Sequence, residues 1–267
     1  MLKRFSGVIF CAEKTILVPL VTAKVRRSKL RAAALAVPLL SFLLTGFFIP
    51  PSQGHAASDE VFVSKSNLDA FGSLAVQSNA AGANSAFGKM RTAWAAEQTR
   101  FQSCFDKPAT CAGPLRPWIY QIKTLEGMSS DAQLAGVNAF ANKAIAYRSD
   151  EAAYGTSDHW ALPTQSLLSG GDCEDYAIIK LFSLQALGVD KDAMRIVVLR
   201  DTLRDRAHAL LSVELKGKTY LLDSLARRVL RASDVPHYKP LYSVSNSKRW
   251  IYLSIRKRKA RSVIAQK

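Results

Sequence analysis

Residues 170–189 read GGDCEDYAIIKLFSLQALGV and contain the best-bounded helix of the sequence. The two glycines interrupt the chain, Asp172 is a suitable N-cap, and Asp175 three residues later has the spacing of a capping box. Gly188 is a typical residue at the end of a helix. Apolar side chains recur at helical spacing between these signals, so the stretch predicts a helix over 173–187 with one face in the core.

Three strands are predicted beyond this helix, because the apolar residues begin to alternate with polar ones. The segments are RIVVLR (195–200), AHALLSVEL (207–215) and TYLLD (219–223). Lys216 and Gly217 separate the last two segments, which is typical of a tight hairpin. The second and third strands are therefore expected to pair antiparallel.

Helical patterns dominate the chain before residue 170, where residues 82–100, 118–127 and 131–147 predict helices. Residues 148–165 predict an ordered loop, and residues 58–80 predict a loosely packed entry segment. Because helices come first and an antiparallel meander follows, the order predicts an α+β fold, with N-terminal helices packed on an antiparallel β-sheet. A doubly wound parallel sheet would require helices and strands to alternate.

The N-terminal 57 residues have the layout of an export signal. KVRRSKLR (24–31) is basic, AAALAVPLLSFLLTGFFI (32–49) is apolar, and GHAAS (54–58) is rich in small residues. That order predicts a secretory signal peptide cleaved after Ala56 or Ala57. An uncleaved inner-membrane anchor is the alternative, because the apolar stretch is close to the length of a spanning helix.

The net charge of +16 divides unevenly among three predicted regions. The leader (1–57) has eight basic residues and one acidic residue, and the basic C-terminal tail (248–267) has eight basic residues and no acidic one. The body (58–247) has 21 basic and 20 acidic residues and is nearly neutral. This distribution argues against a nucleic-acid-binding protein. The tail predicts a solvated end or, alternatively, contact with an anionic membrane or an acidic partner.

Export gives the cysteines a specific meaning. In an oxidising compartment Cys104 and Cys111 are natural disulfide partners, since they are seven residues apart and enclose a short loop. Closing so small a loop stabilises the fold by about 2 kcal/mol through chain entropy. The body has one further cysteine, Cys173, in the first turn of the predicted helix. A helix start favours the nucleophilic thiolate, so Cys173 is a candidate nucleophile, and a structural core cysteine is the alternative.

A nucleophilic cysteine requires a base and a group that orients the base. His208 lies in the second predicted strand, and Asp223 ends the third. If the hairpin turn has two residues, His208 is opposite residue 225, and Asp223 is its diagonal neighbour on the same face. A three-residue turn would place Asp223 on the other face. The spacing therefore permits a Cys173–His208–Asp223 triad, with a packed histidine and a solvated aspartate as the alternative.

Acidic residues flank the candidate nucleophile, at Asp172, Glu174 and Asp175. Helix capping accounts for two of them, but clustered carboxylates are also suitable ligands for Ca²⁺, which would cancel their negative field. Three carboxylates cannot fill the 6–8 oxygen positions that Ca²⁺ takes, so backbone carbonyls and waters would have to contribute. A zinc site is not indicated, because no CxxC or HxxxH spacing occurs.

Five blocks of the chain occur in a characteristic order. They are VNAFANKAIAYRSD (137–150), YGTSDHWALPTQSL (154–167), GGDCEDYAIIKLFSLQALGV (170–189), AHALLSV (207–213) and TYLLDSL (219–225). Together they resemble the bacterial transglutaminase-like cysteine proteinases over roughly residues 115–230. The resemblance implies a papain-like, transglutaminase-like α+β fold and a periplasmic cysteine protease.

The resemblance also assigns roles to individual residues. It implies a catalytic triad of Cys173, His208 and Asp223, and calcium dependence through the matching acids Asp172, Glu174 and Asp175. Relatives of this kind cleave a large surface adhesin, and an inner-membrane receptor for cyclic di-GMP inhibits them. Two alternatives remain at the level of the sequence. The same triad could transfer the acyl group to an amine, as a transglutaminase does, or the domain could be a non-catalytic periplasmic binding module.

Overall fold

The computed structural model describes residues 69–78, 85–245 and 248–253. The helices are α1 (Ala86–Asp106), α2 (Leu115–Leu125), α3 (Ser130–Ala144), α4 (Asp150–Tyr154), α5 (Pro163–Ser169) and α6 (Cys173–Ala186). The strands are β1 (Leu74–Ser78), β2 (Met194–Asp201), β3 (Arg206–Leu215), β4 (Lys218–Leu222), β5 (Leu230–Arg231), β6 (Tyr238–Ser245) and β7 (Lys248–Leu253).

Within these ranges the strands form one antiparallel sheet in the order β1-β7-β6-β2-β3-β4-β5. Helix α6 packs against β3 and β2 at the centre of the sheet, and α3 packs against α6. The predicted α+β fold, with N-terminal helices on an antiparallel sheet, is therefore confirmed. None of the helices in the described ranges has the length and apolarity needed to cross a bilayer.

Helix α6 is more deeply enclosed than its sequence pattern indicates. Its start is the predicted capping box of Asp172 and Asp175, but every residue from Cys173 to Leu184 is buried, not only one apolar face. The sheet covers one side, while α3 and α5 cover others. On the side of α2, the indole Nε1 of Trp118 donates a 2.7 Å hydrogen bond to the hydroxyl of Ser183. The first turn of α6 is therefore held inside the domain.

The hairpin between β3 and β4 has the two-residue turn that the sequence predicts. Leu215 pairs with Lys218, and the register continues to Leu211 opposite Leu222. Lys216 and Gly217 have φ angles of 51° and 68°, the left-handed pair that a tight type I′ hairpin requires. Glycine accepts this conformation without steric cost, so the KG dipeptide favours this turn and this register.

Several elements occur where the sequence analysis expected irregular chain. Helix α4 lies in the predicted loop 148–165, α5 begins in that loop and continues to Ser169, and β1 lies in the predicted entry segment 58–80. Both helices are short, with five and seven residues, so they contain too few turns to show a clear periodicity. Strand β1 forms only by pairing with β7, a contact across most of the described chain.

The predicted basic tail begins too early. Residues 248–253 form β7, which pairs with both β1 and β6, so the sheet extends past the predicted boundary at 247. Trp250 and Tyr252 point into the protein, and the guanidinium of Arg195 lies 4.0 Å from the Trp250 ring. Inward-facing and outward-facing residues alternate along β7, but the nearby basic residues made this pattern hard to recognise in the sequence. The rest of the predicted tail, 254–267, and the predicted leader, 1–57, lie outside the described residues.

The predicted disulfide between Cys104 and Cys111 is present, with Cα atoms 5.2 Å apart. It connects the last turn of α1 to the segment that leads into α2. Both cysteines are buried in the main apolar cluster, which also contains Trp94, Phe101 and Trp118. The covalent link therefore holds the two N-terminal helices where they pack on each other.

Candidate active site

Cys173 is the first residue of α6, and its buried side chain lies against the sheet. Its Sγ accepts a hydrogen bond of 3.2 Å from the backbone N–H of Ala209. Since Ala209 follows His208 in β3, this bond places the sulfur next to the strand position that carries the imidazole. Sγ also lies 3.2 Å from Oε2 of Glu174. The candidate nucleophile and the candidate base are therefore neighbours across the interface of α6 and β3.

His208 and Asp223 are in direct contact. Nε2 of His208 lies 2.7 Å from Oδ1 of Asp223, and both side chains are buried. The hairpin register explains this contact, because extending it past the pair Leu211–Leu222 brings residue 225 opposite His208. Asp223 then lies on the diagonal and on the same face of the sheet. The structure thus has the arrangement that the two-residue turn predicts.

Asp223 accepts two further hydrogen bonds that the sequence did not reveal. Oη of Tyr238 donates to Oδ2 at 2.6 Å, and the backbone N–H of Leu225 donates to Oδ1 at 2.8 Å. Burial by itself raises the pKa of Asp223, but the bonds from His208, Tyr238 and Leu225 outweigh burial and lower the pKa to about 2. Asp223 is therefore a carboxylate at neutral pH and holds the imidazole in one orientation.

Two asparagines of α3 hold the backbone that follows β4. Nδ2 of Asn142 donates to the carbonyls of Asp223 at 2.9 Å and of Ala226 at 3.1 Å. Nδ2 of Asn138, one turn earlier in α3, donates to the same Ala226 carbonyl at 3.0 Å. These bonds fix the loop between β4 and β5 from the helical side. The position of the Asp223 carboxylate is thus set by the sheet, by α3 and by β6 together.

Five acidic side chains lie close together beside the start of α6. Ligand oxygens of Asp150, Asp158 and Glu174 lie within 4.8 Å of one another. The same holds for one oxygen each of Asp150, Asp172 and Asp175. Four of the five are buried, and Asp158 is half-buried. We refer to these five residues as the acidic cluster.

Asp175 has a structural function within the acidic cluster. Its Oδ1 accepts a hydrogen bond of 2.8 Å from the backbone N–H of Ala161, and its Oδ2 accepts one of 3.2 Å from that of Asp172. Gly171 is required beside it, because a Cβ at that position would lie 2.8 Å from Cβ of Asp175. Capping and packing therefore account for Asp175, as one of the two sequence interpretations expected.

The rest of the acidic cluster has the properties of a cation site. Burial, and then the negative charge of Asp172, raises the pKa of Asp150 to about 6. Burial, and then the charge of Asp150, raises the pKa of Asp158 to about 6. Within the described ranges, Oδ1 of Asp150 and Oδ1 of Asp158 are buried and have no hydrogen-bond partner. A hard cation would provide both the missing partner and the missing positive charge, so these donors fit Ca²⁺.

The structure thus brings together all the residues that the sequence singled out, and it adds three. The predicted triad residues meet at the α6–β3–β4 junction, and the predicted ligands Asp172, Glu174 and Asp175 lie beside it. Tyr238, Asp150 and Asp158 were missed as site residues. Asp150 and Asp158 lie around α4 and before α5, and they approach the other acids only when this segment packs against α6. Tyr238 lies in β6, a strand that was not predicted from the sequence.

Comparison with known proteins gives a consistent family assignment. The model of the bacterial transglutaminase-like cysteine proteinases (BTLCP) matches residues 98–259, which is more than half of the chain. No curated protein sequence matches the chain.

Three solved structures of Legionella pneumophila LapG are also similar to this chain, each with 32% sequence identity. The calcium-bound structure has a TM-score of 0.49, with 57% of this chain and 87% of that chain covered. A second LapG structure has a TM-score of 0.46, and an EGTA-treated one has a TM-score of 0.47. Both cover 54% of this chain and 81% of that chain.

The hydrogen bond from Tyr238 to Asp223 should stabilise the fold in a pH-dependent way. The pKa of Asp223 is about 2 in the folded protein, below its ordinary value of 3.8, so its contribution is present above pH 3.8 and is lost as the pH falls towards 2. Tyr238→Phe should lower the free energy of unfolding at pH 7 by about 1.5–3 kcal/mol, the usual contribution of a hydrogen bond to a charged group. Denaturant unfolding between pH 7 and pH 2 measures this difference, which should shrink as Asp223 becomes protonated.

Tyr252→Phe is the matched control for this experiment. The hydroxyl of Tyr252 bonds to the neutral Ser243 hydroxyl at 2.9 Å, so its removal should cost about 0.5–1.5 kcal/mol. That smaller cost should stay constant over the same acidic range. A Tyr238→Phe effect that is equally independent of pH would contradict the charged hydrogen bond.

Proposed function

This chain belongs to the bacterial transglutaminase-like cysteine proteinases, and we propose that it cleaves a protein substrate with a triad of Cys173, His208 and Asp223. The observation that supports the proposal most directly is the 2.7 Å contact between His208 and Asp223, next to a sulfur bound by the Ala209 amide. Cysteine-dependent acyl transfer uses a nucleophile, a base and an orienting carboxylate; here the base and the carboxylate are in contact, and the backbone next to the base binds the sulfur.

In the proposed mechanism, the sulfur of Cys173 attacks the carbonyl carbon of the scissile peptide bond. Because Nε2 of His208 is held by Asp223, Nδ1 is the ring nitrogen that takes the thiol proton. His208 then gives this proton to the leaving amine, and the carbonyl remains bonded to sulfur as an acyl-enzyme. Water, deprotonated by the same imidazole, hydrolyses the thioester and restores the thiol.

Asp223 contributes orientation and charge to both proton transfers. Its carboxylate stabilises the imidazolium that forms when His208 accepts a proton. The low pKa of about 2 ensures that the carboxylate itself stays ionised during the cycle. Tyr238 and the amide of Leu225 occupy its other acceptor positions, so the carboxylate cannot rotate away from the ring without losing hydrogen bonds.

We also propose that the acidic cluster binds Ca²⁺, the cation present in one of the similar Legionella pneumophila LapG structures. Asp150, Asp158, Asp172 and Glu174 would hold it, with Asp175 fixing the helix start beside them. When bound, the cation supplies positive charge next to the candidate nucleophile. That charge would offset the negative charge of the carboxylates beside Cys173.

The proposed place of action is the periplasm. The leader has the layout of a signal peptide, and the Cys104–Cys111 disulfide is typical of an oxidising compartment. The resemblance stated for the sequence points to a large surface-anchored adhesin as the substrate and to an inner-membrane, cyclic di-GMP-responsive receptor as an inhibitory partner. The residues after 253 could add a membrane contact through their basic side chains.

Cys173→Ala tests the proposed nucleophile. Loss of the sulfur should reduce cleavage by about 10⁴-fold or more, as removal of a catalytic nucleophile does in other triad enzymes. The measurement is a comparison of periplasmic and surface proteins between wild-type and Cys173→Ala strains. The substrate should be intact only in the variant. Purified proteins are then compared on that substrate under reducing conditions with Ca²⁺ present.

The matched control changes the other two cysteines of the body. A Cys104→Ser/Cys111→Ser double variant loses the disulfide and should melt at a lower temperature but retain cleavage below that temperature. Undiminished cleavage by a folded Cys173→Ala protein would refute the triad. Incorporation of a labelled amine without backbone cleavage would instead identify acyl transfer as the reaction. If neither cleavage nor amine incorporation is detected, the domain is a binding module.

Calcium binding is tested by thermal unfolding with Asp158→Asn. Wild-type protein should melt at a higher temperature in Ca²⁺ than in EGTA, since a ligand at 100 times its Kd stabilises a fold by about 2.7 kcal/mol. Asp158→Asn removes a ligand charge from a half-buried position that has no capping function, so the variant should fold and lose most of the calcium-dependent shift.

Asp192→Asn is the control, because Asp192 is an exposed acid in the turn before β2 and lies outside the acidic cluster. It should retain the full calcium response. A wild-type melting temperature that is the same in millimolar Ca²⁺ and in EGTA would overturn the calcium proposal.

A further inference from the structure

The segment that follows α3 has an unpaired main-chain edge close to the candidate nucleophile. Tyr147 and Gly171 form an isolated parallel bridge, in which Gly171 makes both hydrogen bonds. Its N–H donates to the carbonyl of Ala146 at 3.1 Å, and its carbonyl accepts from the N–H of Arg148 at 2.9 Å. Because the two neighbours of Tyr147 make the bridge, Tyr147 directs its own N–H and carbonyl to the opposite side.

The main-chain groups of Tyr147 are available to a ligand. Neither its N–H nor its carbonyl has a hydrogen-bond partner within residues 69–78, 85–245 and 248–253. The residue is 57% exposed, so it is open to solvent. Main-chain N–H and C=O groups require a partner, which is water when no protein group is near. An extended peptide beside Tyr147 would satisfy both groups at once, as in the addition of a strand to a sheet edge.

The edge is held in place on both sides of the bridge. Oη of Tyr176 in α6 donates to the carbonyl of Ile145 at 2.8 Å, and Oη of Tyr154 in α4 donates to the carbonyl of Gly170 at 3.0 Å. Gly170 lets the two segments approach this closely, since a Cβ there would lie 2.6 Å from the carbonyl oxygen of Ala146. An edge that is already ordered loses little conformational entropy when it binds a peptide.

The same segment runs along the candidate active site. Near the end of α3, Asn142 donates to the carbonyl of Asp223 at 2.9 Å, and five residues later Tyr147 pairs with Gly171. Gly171 is two residues before Cys173 in the chain. A strand spacing of about 4.8 Å and two extended residues of about 3.5 Å each place the Cα atoms of Tyr147 and Cys173 at most about 12 Å apart. About four extended residues of a bound peptide span that distance.

We propose that the main chain of Tyr147 binds the substrate: its N–H and carbonyl pair with an extended peptide whose scissile bond lies at Cys173. This inference deepens the proposed function and rests on it. Pairing through main-chain groups gives affinity that does not depend on the substrate side chains at the paired position. It also defines the class of substrate, which is an extended linker at the cleaved bond, because the main-chain groups of a helix are already paired.

Tyr147→Pro tests the edge, and Tyr147→Ala is its matched control. Both variants lose the ring, but only proline lacks the N–H. The bridge uses the neighbouring residues, and proline is tolerated at a strand edge whose N–H faces away from the sheet, so both variants should fold. The KM for the protein substrate found by the strain comparison should be about tenfold higher in Tyr147→Pro than in Tyr147→Ala, with kcat within about twofold. Equal KM values in the two folded variants would overturn the inference.

A second measurement leaves Tyr147 unchanged and uses the peptide aldehyde acetyl-Ala-Ala-Ala-Ala-al. Its aldehyde carbon adds the Cys173 thiol: the S–C bond forms, and the thiol proton moves to the aldehyde oxygen to give a thiohemiacetal. Because its side chains are methyl groups, main-chain hydrogen bonds should provide most of its non-covalent affinity. Hydrogen exchange of the Tyr147 amide is followed by NMR in protein with ¹⁵N-labelled tyrosine, and Tyr147→Phe identifies the signal.

Exchange of the Tyr147 amide should slow at least about tenfold in the aldehyde adduct, since a paired amide exchanges only when the pairing opens. The amide of Tyr120, whose side chain is exposed on α2, is the control and should exchange at the same rate with and without the aldehyde. An adduct in which the Tyr147 amide exchanges as fast as in the free protein would refute the inference, even if Tyr147→Pro fails to fold. Failure of millimolar aldehyde to add to active protein would also refute it.

The two proposals can fail separately. If Cys173→Ala still cleaves the substrate, the proposed nucleophile is wrong, while the KM values of Tyr147→Pro and Tyr147→Ala for that cleavage still test the edge. If Cys173→Ala is inactive and the aldehyde adds to wild-type protein, but neither KM nor amide exchange responds, the proposed function stands and the inference about Tyr147 is wrong.

Discussion

The contact between His208 and Asp223 depends on a single two-residue turn. Lys216 and Gly217 adopt left-handed φ angles, and the hairpin they close places Asp223 on the same face as His208. One additional residue in this turn would shift every following side chain to the other face of β4. Tyr238, Leu225 and Asn142 then secure a carboxylate that the turn has already brought to the correct face.

The complete burial of the first turns of α6 holds the site in place, but burying its ionisable side chains costs free energy. It holds Cys173 against Ala209, but it also encloses the acidic cluster and Lys180. Buried carboxyl groups near one another disfavour ionisation, which raises the pKa of Asp150 and of Asp158 to about 6. A cation beside the helix start would relieve this cost. Binding of a cation there would therefore also stabilise the fold and offset the negative charge beside the candidate nucleophile.

Sequence patterns predicted the elements whose stabilisation is local. The capping box of α6, the β3–β4 hairpin and the Cys104–Cys111 disulfide each involve residues close together in the chain, and all three are present. Strand β1 was missed because it pairs only with β7, across most of the described chain, and β7 was missed because it depends on pairing with β1 and β6. The basic residues near Lys248 also made a strand resemble a solvated tail, although Trp250 and Tyr252 alternate into the core.

For the site, the sequence by itself identified the candidate nucleophile, base and orienting carboxylate, because helix-start and hairpin spacing permit contact among Cys173, His208 and Asp223 and the family resemblance assigns them these roles. It also located the acids next to Cys173. Only the tertiary structure decided that Asp150 and Asp158 join those acids, that Tyr238 bonds to Asp223, and that Lys180 is completely buried. The physical reason is range: capping and hairpin register act over a few residues, whereas burial and electrostatic fields depend on which distant elements pack together.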